Sequence, residues 1–139
     1  MKPLKPWSAT RGGKLVVLLA AGFALAGAFG DAAAGAGFQR RCGWLSNPTP
    51  ANISLFDRDG EWIVGVQGGY QVEGDWDWPA FGARDWVKTN GNYGYGCACF
   101  DMQVDAASHE VRAIRKPSAK PLQTCRRDPA LSKWMKLLR

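Results

Sequence analysis

Residues 93–100 read Tyr-Gly-Tyr-Gly-Cys-Ala-Cys-Phe, and this stretch decides the fold. Successive side chains of a β-strand point to opposite faces. Both tyrosines and both cysteines therefore share one face, while the glycines and the alanine line the other. The preceding pair Asn90-Gly91 is a strong hairpin-turn signal. The sequence predicts its longest strand here, from Tyr93 to Val104.

The four cysteines of the chain are Cys42, Cys97, Cys99 and Cys125. A direct bond between Cys97 and Cys99 is disfavoured, because residues two apart on one strand face lie too far apart for disulfide geometry. Two cysteines on one face can instead bond two different partners. We therefore expect Cys42 and Cys125 each to be bonded to this strand, and the sequence leaves open which of them takes Cys97.

A thiolate site is the alternative interpretation of the Cys-x-Cys pair. Cys97 and Cys99 could bind copper(I) with Met102 as a thioether ligand, or act as a redox dithiol. Either role needs reduced thiols and leaves the other two cysteines unexplained. No histidine or lysine is adjacent to lower a thiol pKa. We expect two disulfides, no resident metal and no cofactor.

Further short β-rich runs surround the central strand. They are residues 52–56, 62–67, 86–89 and 110–114, and the Asp-Arg-Asp-Gly stretch at 57–60 joins the first two as a hairpin turn. The Asn-Pro-Thr-Pro stretch at 47–50 is interpreted as an extended entry loop. With the central strand this makes five strands. The fold class expected is mainly β, a small antiparallel barrel or sandwich with a short C-terminal helix, stapled by disulfides.

The C-terminal tail changes period and charge. Asp128-Pro129 is a good helix start, and Leu131, Trp134, Met135 and Leu138 follow with helical spacing, which predicts a basic amphipathic helix over 128–139. Residues 116–139 hold seven basic side chains and one acidic, whereas residues 42–115 hold five basic and ten acidic. We expect this tail to fold back on the acidic body. Weak contact with a membrane surface is the alternative.

The first 36 residues predict an export signal. Four basic residues precede the apolar run from Leu15 to Phe29, which is short for a membrane span, and small residues at 32–36 offer cleavage sites. We expect a signal peptide over 1–36 and a single β-rich, disulfide-stapled domain over 37–139. The expected location is periplasmic or secreted. Export argues against a nucleic-acid partner despite the basic net charge.

The stretch Asp75-Trp76-Asp77-Trp78 is the candidate binding surface. Two tryptophans in an acidic, irregular loop suit sugar stacking or a protein-binding hot spot. The alternative is that these rings cover the open end of a barrel. The sequence does not decide whether Trp76 and Trp78 are exposed.

No catalytic residues are predicted. His109 is the one histidine and lies in a polar turn, where nothing arranges a Ser-His-Asp triad. Asp57 and Asp59 lack the remaining ligands of a calcium loop, and a hairpin turn explains both. We therefore expect a protein that is not an enzyme.

Several strings together resemble a known family. They are Cys-Gly-Trp at 42–44, Asn-Pro-Thr-Pro-Ala-Asn at 47–52, Asp-Arg-Asp-Gly-Glu-Trp at 57–62, the 93–99 run, and Cys-Arg-Arg-Asp-Pro at 125–129. They are similar to a family of small exported bacterial proteins that is known only as a domain of unknown function. The resemblance spans about residues 42–131. It implies a periplasmic or secreted Gram-negative protein with four cysteines, and it implies no activity and no functional residues.

The function expected from the sequence is non-catalytic binding by a monomeric periplasmic protein. The leading hypothesis is a protein-binding or hydrolase-inhibitor-like module whose partner is an envelope or foreign protein, since a rigid cross-linked scaffold loses little entropy on binding. The first alternative is binding of a carbohydrate such as peptidoglycan, a cell-wall glycan, through the Trp76 and Trp78 loop. The second is the copper or redox site at Cys-x-Cys.

Overall fold

The computed structural model describes residues 37–138, and the predicted signal peptide lies outside the described residues. Six strands, one short α-helix and one 3-10 helix make up this part of the chain. They are β1 (Gln39–Thr49), β2 (Asn52–Phe56), β3 (Glu61–Gly65), β4 (Trp86–Asn90), β5 (Tyr93–Asp105), β6 (Glu110–Lys120), α1 (Leu122–Arg126) and the 3-10 helix (Pro129–Lys136). The expectation of a mainly β domain with a short C-terminal helix is confirmed.

The strands form a ring in the order β1-β2-β3-β6-β5, and β5 pairs back with β1. All pairs are antiparallel except β3 with β6, which meet in parallel at Ile63 and Glu110. The Ile63 N–H donates to the carbonyl of His109 at 2.8 Å across this closure. The strand β4 pairs with β5 outside this ring and is the sixth strand of the sheet. Connectivity alone assigns no function.

Strand β5 pairs with three other strands, more than any other strand of the sheet. One edge pairs with β1, and the other pairs with β4 near its start and with β6 further on. Its residues 94–100 are all buried. The side chains of Ala98, Phe100 and Met102 point into the ring. They form the inner core with Leu45, Leu55, Trp62, Val64, Val104, Val111 and Ile114.

The outer face of β5 is covered as well. Tyr95 and Cys97 lie under the C-terminal segment, which folds across the outside of the ring. The outer core contains these two residues with Trp44, Phe56, Leu122, Cys125, Leu131 and Leu138. The predicted alternation of β5 is therefore correct, and each of its faces belongs to a different core.

Two disulfides join this strand to distant segments. Cys42 is bonded to Cys99, and Cys97 is bonded to Cys125. The expectation that Cys42 and Cys125 are each bonded to β5 is confirmed, and the structure settles the pairing. No cysteine among the described residues is free. Two disulfides are compatible with an oxidising extracellular compartment.

Strand β1 differs from the sequence-based expectation. The entry loop predicted at 47–50 is the end of β1 and its turn into β2, and the strand itself begins at Gln39. Period-two alternation fails as a signal here because residues 43–46 are buried on both faces. Pro48 is tolerated because it lies at the exposed end of the strand, past the nine residue pairs that join β1 to β5.

The end of the chain also differs in detail. The last strand continues to Lys120 instead of ending at Ile114, and α1 follows it. The helix predicted over 128–139 is a 3-10 helix over 129–136, which starts where the sequence places it. Its Asp128 side chain caps the helix by accepting from the N–H of Ala130 at 2.9 Å.

A buried ion pair fixes the β2–β3 hairpin to β1. The Arg41 guanidinium donates to Asp57 at 2.6 Å and to Asp59 at 3.1 Å, and it stacks 4.1 Å from the centre of the Trp62 ring. The other carboxylate oxygen of Asp57 accepts from the N–H groups of Asp59 and Gly60. These contacts explain both aspartates as parts of a turn.

The β5–β6 hairpin is held by a second carboxylate. The Arg112 guanidinium and the N–H groups of Ser108 and Ala107 donate to Asp105, and together they lower its pKa to about 2. Because the pKa of Asp105 is lower in the folded protein than in the unfolded chain, the ionised carboxylate stabilises the fold at pH values above the ordinary carboxyl pKa. This contribution is lost as the pH falls from about 4 towards 2.

A Cβ added at Gly94 tests the close approach of β4 to β5. It would overlap the carbonyl of Val87 on the neighbouring strand, a backbone atom that cannot move aside. We expect Gly94→Ala to lower the free energy of unfolding by about 1–3 kcal/mol, measured by urea denaturation. Gly37→Ala is the matched control, since no atom of residues 37–138 lies within 4 Å of its added Cβ. Equal unfolding midpoints for the two variants would contradict the strand packing.

Candidate binding cleft

The loop between β3 and β4 carries the candidate residues over one end of the ring. It first folds back beside β3, where the Val72 N–H donates to the Val64 carbonyl at 2.8 Å. Trp76 is then half-buried, with its ring centre 6.2 Å from that of Phe100 in the inner core. Trp76 therefore covers the end of the barrel, which is the structural alternative that the sequence left open.

Trp78 is placed differently. It is 41% exposed, and its ring centre lies 5.6 Å from that of Trp76 and 5.8 Å from that of Trp86. Phe81 packs against Trp86 in turn, at 5.0 Å. A continuous row of aromatic rings thus runs from the inner core to the surface. The buried end of the row anchors the exposed end.

An open cleft of about 720 Å³ lies against this row of rings. Its apolar wall includes the side chains of Trp78, Phe81, Trp86 and Tyr93. Six further residues line it: Asn47, Pro79, Gly82, Ala83, Lys88 and Asn92. We call these ten residues the aromatic cleft. The cleft has the size of a small-molecule site and combines flat rings with a few polar groups.

Hydrogen bonds hold the polar side of the cleft in place. The Lys88 ammonium donates to the side-chain oxygen of Asn92 at 3.1 Å, and the Trp86 indole N–H donates to the backbone carbonyl of the same residue at 3.1 Å. Asn92 belongs to the tight turn between β4 and β5, where Gly91 adopts a positive φ of 60°. The turn predicted from Asn90-Gly91 thus positions the edge of the cleft.

The structure divides the predicted surface residues. Trp78 lines the aromatic cleft, whereas Trp76 packs beneath it. Asp75 and Asp77 are exposed and do not line the cleft. None of the ten lining residues is acidic.

Sequence reasoning missed most of the cleft. Phe81, Trp86 and Tyr93 come from a loop and two strands, and Asn47 comes from β1. No sequence spacing links these positions, because the ring brings them together. The one available signal was the density of aromatic residues between 76 and 95.

The other residues that the sequence analysis considered, His109 and the Cys-x-Cys pair, do not line the aromatic cleft. His109 is exposed and stacks on Trp62 at 5.2 Å, with its Nδ1 atom 3.1 Å from the carbonyl of Glu61. Cys97 and Cys99 are both in disulfides, so neither offers a thiolate in this state. Within residues 37–138, no group of three His, Cys, Asp or Glu side chains is placed to hold a metal ion. No helix in that range is long and apolar enough to cross a membrane.

Comparison with known proteins identifies the family. The model of the family described as protein of unknown function (DUF4087) matches residues 36–132, and the chain therefore belongs to this family. The predicted resemblance to a domain of unknown function is confirmed. No curated protein and no solved structure matches the chain.

The two tryptophans of the loop are predicted to differ in their contribution to stability. Trp76→Ala removes a ring packed on the inner core and is expected to lower the free energy of unfolding by about 2 kcal/mol or more. Trp78→Ala removes an exposed ring and is expected to change it by less than about 1 kcal/mol. Urea denaturation of the two variants checks the difference. A larger loss for Trp78→Ala would show that the exposed ring is structural.

Proposed function

We propose that this DUF4087 protein is a non-catalytic glycan-binding protein of the bacterial envelope, and that the aromatic cleft is its binding site. The observation that carries the proposal is Trp78, a large apolar ring held 41% exposed at the mouth of an open cleft. Tryptophan is enriched at binding interfaces, because its large ring supplies apolar contact area while its N–H group can find a hydrogen-bond partner. The packing behind Trp78 keeps it at the surface.

The chemistry of the cleft suits a sugar. One face of a pyranose ring presents C–H groups and can stack on a flat indole, while its hydroxyl groups need hydrogen-bonding partners at the rim. Trp78 and Trp86 provide ring surface, and Asn47, Lys88 and Asn92 provide amide and ammonium groups. An aromatic wall with a few polar groups at fixed positions gives both affinity and orientation.

The composition of the cleft supports binding over hydrolysis. Glycoside hydrolysis ordinarily uses a pair of carboxyl groups that flank the scissile bond. The ten lining residues of the aromatic cleft include no carboxylate. The proposed role is therefore recognition of the glycan without cleavage.

The proposed location follows from the sequence together with the disulfides. A signal peptide over residues 1–36 would deliver the domain to the periplasm or the exterior of a Gram-negative cell, where Cys42–Cys99 and Cys97–Cys125 can form. Peptidoglycan is the cell-wall glycan of the periplasm. We take its glycan strands as the ligand.

A protein partner is the second candidate, and a different surface favours it. Leu137 is 66% exposed and Val66 is 42% exposed, and both line a depression of about 190 Å³ beside Pro48. Exposed aliphatic side chains around a depression are typical of protein contacts. A hydrolase-inhibitor-like module would use this surface, outside the aromatic cleft.

Binding to purified peptidoglycan sacculi tests the glycan proposal. We expect the protein to co-sediment with sacculi, and Trp78→Ala to weaken the apparent affinity at least ~10-fold, which corresponds to about 1.4 kcal/mol. Affinity is lost because the exposed stacking surface is removed, while Trp76 beneath it still packs on the inner core.

Phe38→Ala is the matched control, because Phe38 is an aromatic side chain of similar exposure, 38%, outside the cleft lining. It is expected to bind like the unmodified protein. Absence of co-sedimentation, or equal affinity of the Trp78→Ala protein, would remove the glycan proposal. Loss of sacculus binding in Leu137→Ser, with Trp78→Ala unaffected, would place the glycan contact at the Leu137 depression and contradict the aromatic cleft as the site.

A further inference from the structure

The two disulfides differ sharply in access to solvent. Cys97 and Cys125 are 1% and 3% exposed and lie in the outer core beneath the C-terminal segment. Cys42 is exposed, while its partner Cys99 is 4% exposed. One disulfide is therefore sealed within the protein, and the other has one half at the surface.

Cys42 also faces an open space. It lines a polar pocket of about 370 Å³ together with Gln39, Arg40, Arg41, Asp57, Arg58, Asp59 and Asp128. Three arginines and three aspartates balance in charge around it. Thiol–disulfide exchange requires a thiolate to reach a sulfur atom directly, so access decides which disulfide reacts. Of the four cysteines, Cys42 is the exposed one, and it lines this pocket.

We propose that the sulfur of Cys42 is a thiol–disulfide exchange site, at which a dithiol reductant opens the Cys42–Cys99 bond while the Cys97–Cys125 bond stays closed. This site differs from the Cys-x-Cys hypothesis, because the reacting pair joins β1 to β5. Neither the glycan proposal nor the second surface depends on it.

The reaction balances as a two-electron exchange. A thiolate of the dithiol attacks the Cys42 sulfur and forms a mixed disulfide, and the bond to Cys99 breaks with the electron pair leaving on the Cys99 sulfur, which takes up a proton. The second thiolate of the dithiol then attacks the first sulfur atom of the dithiol, which is bonded to Cys42 in the mixed disulfide. Cys42 leaves as a thiolate and is protonated, so the protein gains two thiols and the dithiol is oxidised to a disulfide.

The fold tolerates this opening. Eight residue pairs hold β1 against β5 on either side of the disulfide, three from Gln39–Met102 to Arg41–Phe100 and five from Gly43–Ala98 to Asn47–Gly94. The buried Cys97–Cys125 bond continues to tether the C-terminal segment. Reduction at Cys42 is therefore a local change that leaves the barrel closed.

Timed reduction under native conditions tests the inference. The folded protein is incubated with dithiothreitol, samples are alkylated at intervals, and the labelled cysteines are mapped by mass spectrometry. We expect Cys42 and Cys99 to be labelled at least tenfold faster than Cys97 and Cys125. Equal rates, earlier labelling of Cys125, or no labelling of the folded protein would overturn the proposal.

A monothiol probe identifies the attacked atom. The folded protein is incubated with reduced glutathione, and the protein–glutathione mixed disulfides that form are trapped by acid quenching. We expect glutathione on Cys42. Its presence on Cys99 would contradict the assignment. The guanidinium-unfolded protein is the control, in which the two disulfides are expected to open at comparable rates because burial no longer protects either.

Discussion

Burial of strand β5 on both faces is the constraint on which the rest of the structure depends. Its inner face packs in the ring, its outer face lies under the C-terminal segment, and residues 94–100 are all buried. A strand in this position needs side chains that are small, apolar or covalently paired. The alternation of glycine and alanine with tyrosine and cysteine meets that need, and Gly94 and Gly96 allow β4 and its preceding loop to approach closely.

The same constraint determines which surface is free for function. The helix α1 and the 3-10 helix pack on the outside of the ring against β1 and β5, and Trp134 fixes the 3-10 helix by donating to the carbonyl of Asp57 at 2.7 Å. The end of the ring is closed by Trp76. The region where β5 begins and β4 pairs with it stays open, and there the chain presents Trp78, Trp86 and Tyr93 around the aromatic cleft.

The sequence predicted the parts of this arrangement that depend on local pattern. The alternation at 93–100 was sufficient for β5 and for the rule that Cys42 and Cys125 both bond to it. The pairing itself follows from the register of β1, which sets Cys42 opposite Cys99. That strand was hidden by Pro48 near its end and by burial on both faces. The cleft could be predicted only at Trp78, because its other walls are joined by strand pairing between positions far apart in the chain.

The central claim is that both faces of β5 are buried by packing and that the aromatic cleft is the ligand site. Two-dimensional NMR of the tryptophan indole N–H signals, recorded while a soluble peptidoglycan fragment is added, tests it most directly. The account predicts that the signals of Trp78 and Trp86 shift with ligand concentration. The signals of Trp44 and Trp62, which are 0% and 5% exposed, are predicted to stay in place. Unchanged Trp78 and Trp86 signals at saturating ligand, or a shift confined to Trp134, would contradict it.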